Sequence, residues 1–272
     1  MSLHHFFATS GDVIHVRLNH VRGSSPRDTG AEMFVAEGGL YGTIGGGQLE
    51  YMAIDKARAM LRAGRMAEEM DVPLGPEIGQ CCGGRVAVTL TQMNNADREG
   101  AIHQETQEKA ARPQVYIFGA GHVGRALAGM FQFLPVRCVL VDGRAAELSL
   151  VEGDFEKRLS ALPEADIGQA PPHSAFIVLT HDHALDFLLT SEALNRGDAA
   201  YVGLIGSATK RAKFARFHRT TTDKRDIGTL TCPIGATASA DKRPEVIASF
   251  VVAEVMACLT TSAPHRVPVR AH

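Results

Sequence analysis

A β-rich run over residues 114–118 passes without a break into Gly119-Ala120-Gly121-His122-Val123-Gly124, and a helical pattern follows over residues 124–131. A G-x-G-x-x-G that follows a strand and opens a helix leaves few folds open. Gly119 permits a tight turn, Gly121 leaves backbone open to a pyrophosphate, and Gly124 lets the helix lie close to the strand. The phosphates would rest on the helix N-terminus beside His122. Asp142, at the end of the next β-rich run and about 20 residues on, stands where a ribose-binding acid is expected. Further buried runs at 136–141, 176–180 and 201–205 alternate with helical patterns at 185–196 and after Ser207. That cadence predicts a parallel sheet covered on both faces, a Rossmann-like doubly wound domain. Residues 244–259 are apolar nearly all round and predict a buried helix opened by Pro244.

The residues before this domain follow a different pattern. Ile14, Val16 and Leu18 alternate with polar neighbours as in a half-buried strand. Residues 31–35 and 40–44, joined at Gly38-Gly39, predict a hairpin. Residues 48–63 are helical and close at Gly64, and Val86, Val88 and Leu90 mark another strand. This is a small α+β domain. The polar, turn-prone run at 94–100 and the charged run before Pro113 predict a linker. The expected division is therefore an N-terminal domain at 1–93, a linker at 94–113 and the Rossmann-like domain at 114–272, making an α/β protein of two domains.

Composition narrows the function. With 28 Lys and Arg against 30 Asp and Glu, the 272 residues carry a formal charge of −2, unlike the basic footprint of a nucleic-acid reader. Five cysteines are too few and odd in number for a secreted disulfide scaffold, which points to a reduced compartment. The opening residues lack a basic segment followed by a long apolar run, and the apolar stretch around 250–259 is short for a membrane span. A cytoplasmic protein without a nucleic-acid or membrane partner is expected.

Several groups could carry chemistry. Thr180-His181-Asp182-His183 ends a strand at the face where open α/β sheets present ligands. Its imidazoles either move protons or bind a metal, or Asp182 caps the next helix and the histidines bond the loop. Ser207 is a ready N-cap, and Lys210 just after it suits a phosphate, while Lys213 and Arg216 read as a solvated face. In the first domain Gly45, Gly46 and Gly47 form one glycine-rich loop, and Gly79-Gln80-Cys81-Cys82-Gly83-Gly84 another. Each glycine costs about 0.5–1 kcal/mol relative to alanine in regular structure, so two such loops point to a cradle for an anionic or planar ligand. Cys81 and Cys82 are soft nucleophiles able to hold a metal or accept sulfur, with one thiol facing the crevice. Cys138, Cys232 and Cys258 lie in apolar surroundings and read as structural.

Taken in order, Gly23-Ser24-Ser25-Pro26-Arg27, Gly42-Thr43-Ile44-Gly45-Gly46-Gly47-Gln48-Leu49-Glu50, Gly79-Gln80-Cys81-Cys82-Gly83-Gly84, the Rossmann glycines, Thr180-His181-Asp182-His183 and Gly203-Leu204-Ile205-Gly206-Ser207 resemble the XdhC/CoxF family of xanthine dehydrogenase accessory proteins. The resemblance implies a maturation factor rather than an enzyme. Such a factor binds molybdenum cofactor, holds it during sulfuration by a cysteine desulfurase and delivers it to an apo molybdenum hydroxylase, such as the xanthine dehydrogenase large subunit of purine catabolism. Carried over, the cradle is Gly45, Gly46, Gly47, Gln80, Cys81, Cys82 and Gly83, with Arg27 pairing a phosphate and Cys81 touching molybdenum. Gly143 after Asp142 departs from an expected second acid, leaving open whether NAD(P) or another nucleotide occupies the Rossmann crevice. A homodimer is expected for a carrier of this size. One competing reading is an NAD(P)-dependent oxidoreductase with His181 or His183 as acid–base, which leaves the two glycine loops idle, and a second is a redox- or nucleotide-sensing module that binds a partner without chemistry.

Overall fold

The structure, a computed structural model, describes residues 2–76, 83–222, 226–236 and 241–261. The chain divides into two compact units, residues 1–108 and 109–272.

Unit 1 is built on a five-stranded sheet of order β3-β2-β1-β5-β4, with β1 Val13–Arg22, β2 Glu32–Ala36, β3 Gly39–Gly42, β4 Ala67–Pro73 and β5 Arg85–Gln92, every pair antiparallel. The alternation of β1 sets the register: Val16 lies opposite Met33 on one side and Leu90 on the other. Ile14, Val16 and Leu18 share a buried layer with Val86, Val88 and Leu90 and with Leu49, Ala53, Ala57 and Met60 of α2 (Gly47–Ala63). That helix ends where expected, Gly64 taking the left-handed conformation at φ 65°. A second cluster joins Phe6 and Phe7 of α1 (Leu3–Thr9) to Val13, Phe34 and Met93.

The expected linker takes another form. Asn94 and Asp97 cap each other, each side chain accepting the other's backbone N–H at 3.0 and 2.9 Å, and so start α3 (Asn95–Ala110). Turn-forming residues here serve as a helix cap. Ala101 and Ile102 of α3 pack on the α1 cluster.

Unit 2 is a six-stranded parallel sheet of order β11-β10-β9-β6-β7-β8. Its strands are β6 Gln114–Phe118, β7 Arg137–Asp142, β8 Glu156–Leu159, β9 Ala175–Val178, β10 Tyr201–Leu204 and β11 Leu230–Thr231. The chain winds outward from β6 in one direction and then, from β9, in the other, so β6 and β9 flank the point where strand order reverses. Val115 and Ile117 face a core with α4 (His122–Phe131) and α9 (Pro244–Thr261). Tyr116 and Phe118 face the opposite core, with α6 (Pro163–Gln169), α7 (His183–Arg196) and α8 (Ala208–Thr221). The short helix α5 (Ala145–Ser149) follows β7. This is the doubly wound arrangement expected from the sequence.

α9 differs from its expectation. Over its 18 residues it is long and apolar enough to cross a membrane by length and composition, although it carries Glu245 and Glu254, and only one stripe, Ala248, Val251, Val255 and Leu259, is buried in the core.

Candidate functional site

In unit 1 the glycine segments meet because their missing side chains allow it. A Cβ on Gly45, whose φ is 125°, would lie 2.8 Å from Pro26 Cβ and 3.1 Å from Arg27 Cγ. One on Gly84 would lie 2.2 Å from the Ser24 carbonyl oxygen, and Ser24 bridges Gly83. The loops at 23–27, 43–47 and 83–84 are thus drawn together at one end of the sheet. Among the described residues nothing would crowd a Cβ on Gly46 or Gly83. The side chain of Arg27 is exposed at the same loops. Gln80, Cys81 and Cys82 lie outside the described residues. Gly83 N–H donates to Leu74 O at 2.8 Å and Leu74 N–H to Gly84 O at 2.7 Å.

Two contributors to this loop cluster were not singled out from the sequence. Glu50, in the first turn of α2, accepts from the Ile44 N–H at 3.0 Å, the Gly46 N–H at 3.1 Å and the Thr43 hydroxyl, which itself accepts from Gly45 N–H at 3.0 Å. A carboxylate beside the helix N-terminus therefore fixes the 43–47 loop. The signal was its place three residues after Gly47 at the helix start. Ser25 Oγ is buried without a hydrogen-bond partner among the described residues.

In unit 2 the fingerprint glycines behave as their spacing requires. A Cβ on Gly119, at φ 119°, would lie 2.5 Å from Leu179 O, and one on Gly124 would lie 1.9 Å from Gly119 O. Gly121 faces open space and starts α4 without a side-chain cap, and His122 is exposed on the first turn. Asp142 is only 8% exposed, and its carboxylate is occupied. It accepts from Ala120 N–H at 2.7 Å, from Arg144 N–H at 2.9 Å and from the Arg144 guanidinium through two bonds of 2.9 Å. Burial would raise its pKa, but the Arg144 and Ala120 donors together hold it below the usual carboxylate value.

At the end of β9, Asp182 caps α7, accepting from Ala184 N–H at 2.7 Å and Leu185 N–H at 3.3 Å, and those amides hold its pKa down. His181 and His183 are exposed. Among the described residues no group of three His, Cys, Asp or Glu is placed to hold a metal ion. Ser207 caps α8 by accepting Lys210 N–H at 3.3 Å. The Lys210 ammonium is turned inward onto Asp186 at 2.5 Å, and Asp186 also accepts the Thr180 N–H and hydroxyl at 2.9 and 2.7 Å. Lys210 therefore ties α8 to the β9–α7 turn, with its charge spent on a buried carboxylate. Burial pushes the Cys138 thiol up to about 12 and raises those of Cys232 and Cys258, as befits packing residues.

Comparison with known proteins places this geometry. Residues 115–255 match the family model described as the XdhC Rossmann domain, and residues 7–71 match that of the XdhC and CoxI family. The chain belongs to the XdhC and CoxI family. Among curated relatives, the uncharacterized protein YqeB of Escherichia coli is 27% identical over 86% of this chain and 41% of its own length. The chain thus spans less than half of that relative. The molybdenum cofactor insertion chaperone PaoD of the same organism is 25% identical over 88% of this chain and 81% of its own. A crystal structure of a xanthine dehydrogenase from Bacillus halodurans shares the fold at a TM-score of 0.82, with 18% identity and 98% of each chain covered.

Proposed function

We propose that this chain is a molybdenum cofactor carrier: it binds the cofactor at the glycine loops of unit 1, holds it during sulfuration and delivers it to an apo molybdenum hydroxylase such as a xanthine dehydrogenase. The observation that carries the reading is the convergence of the 23–27, 43–47 and 83–84 loops, with Ser25 Oγ buried and without a partner among the described residues beside them. Membership of the XdhC and CoxI family and the likeness to a molybdenum cofactor insertion chaperone support it.

The described residues fit the cargo. It carries a phosphate, which suits the exposed Arg27 guanidinium; the N–H groups of Gly45, Gly46 and Gly83 are bonded to Thr43, Glu50 and Leu74, so these glycines and Gly47 would serve by leaving room for the ligand. Soft sulfur donors suit molybdenum, which gives Cys81 its role as the metal contact, with Gln80 and Cys82 alongside. In this reading the chain performs no catalytic turnover of its own, takes its sulfur from a cysteine desulfurase, acts in the cytoplasm and works as a homodimer. The oxidoreductase alternative assigns acid–base work to His181 or His183 but gives the loops of unit 1 no task.

Reconstitution tests the proposal. Apo hydroxylase is incubated anaerobically with isolated cofactor, a cysteine desulfurase and L-cysteine, with and without this chain, and hydroxylase activity and cyanide-releasable sulfur are measured. The chain should raise both several-fold, and Cys81→Ala should remove the gain. Equal activation with and without the chain would contradict the proposal.

A further inference from the structure

The crevice of unit 2 holds a cavity of about 500 Å³ at the carboxyl ends of β6, β7, β8 and β9, a size suited to a nucleotide half. Ala161, Pro163, Leu185 and Leu188 give it apolar lining for a planar base. Gly119, Asp142 and Arg144 line it as well, so the ribose of a nucleotide whose pyrophosphate lies at Gly121 would meet Asp142 and Arg144.

At this position a carboxylate ordinarily accepts the ribose hydroxyls. Asp142 has no capacity left for that. A carboxylate offers about four lone-pair positions. Here Oδ1 takes the Arg144 N–H and Nε–H, and Oδ2 takes the Ala120 N–H and the Arg144 Nη2–H. The guanidinium that saturates it is 39% exposed, and among the described residues its Nη1 has only Glu147 at 3.7 Å, while Glu147 is drawn to Arg125 at 2.8 Å. The group offered to a ribose is therefore an ion-paired guanidinium with donors left over, held flat by a bidentate carboxylate. A guanidinium so fixed is matched to a phosphate rather than to a hydroxyl.

We propose that this cavity binds an adenine nucleotide bearing a phosphate on its ribose, and so prefers NADP to NAD, with Arg144 reading the 2′-phosphate. The inference concerns unit 2 alone and stands whether or not unit 1 carries molybdenum cofactor. Glu164, the other acid of the lining, is the group that would favour an unphosphorylated ribose instead.

Isothermal titration of the full chain with NADP, NAD, adenosine 2′,5′-bisphosphate, 5′-AMP and CMP decides it. NADP should bind at least about tenfold more tightly than NAD, and the bisphosphate more tightly than 5′-AMP by a similar factor. Arg144→Gln should abolish both preferences while NAD binding persists, because Asp142 is then released to the sugar. The comparison of bisphosphate with 5′-AMP on the unmodified chain needs no variant, so it decides even if Arg144→Gln fails to fold. Equal or reversed affinities, tighter binding of CMP, or no binding of any of these up to millimolar concentration would overturn the proposal.

Discussion

Glu50 shows how one side chain can hold a loop that has none of its own. The three consecutive glycines at 45–47 have positive φ and no side chains to restrain them, so order must come from outside the loop. The Glu50 carboxylate supplies it by collecting two backbone N–H groups and the Thr43 hydroxyl. Glu50→Gln keeps the shape and removes the charge, so the variant should lose about 1–3 kcal/mol, the range for a charge-assisted hydrogen-bond cluster. Urea denaturation reads the loss, and hydrogen exchange at Ile44 and Gly46 should accelerate with it. An unchanged midpoint with unchanged exchange would remove Glu50 from this role. Asp142 does the same work in unit 2, where a residue expected to meet a ligand instead clamps the glycine turn through Ala120.

Among elements, the Asp186–Lys210 pair joins the turn between β9 and α7 to α8. Asp186 is 1% exposed, so removing its cation leaves a buried charge. Lys210→Met should destabilise the fold by about 3 kcal/mol, and adding Asp186→Asn should recover part of that loss. Denaturation midpoints of the two variants check this, and a Lys210→Met midpoint equal to that of the parent would contradict it. The elements most legible in the sequence are those whose periodicity was forced by burial on a known face: β1, β5, β6 and α2. The edge strands β4 and β8 were not legible, because edges carry charge. Glu68 of β4 pairs with Lys56 and Arg65, and Arg158 of β8 pairs with Glu156 and Asp166. Glycine motifs marked where both candidate sites lie. They gave no sign that Lys210 turns inward, since its partner Asp186 lies 24 residues away, or that Asp142 is saturated, since that needs Ala120 from 22 residues before it together with the turn that brings Arg144 back onto it.

At the scale of the whole molecule, the two units present different chemistry. Unit 1 gathers glycine loops, the exposed Arg27 and a Ser25 hydroxyl without a partner among the described residues, the features on which the proposed carrier role rests. Unit 2 adds a nucleotide-sized cavity on a doubly wound sheet. Family membership ties both to one chain, since the matched regions fall one in each unit. The most direct test of the carrier reading is an anaerobic titration of the purified chain with isolated molybdenum cofactor, scored as molybdenum retained per chain after ultrafiltration. Saturable retention approaching one cofactor per chain, weakened in both Cys81→Ala and Arg27→Gln, is the predicted result. Failure of the chain to retain molybdenum at any cofactor concentration would contradict the account.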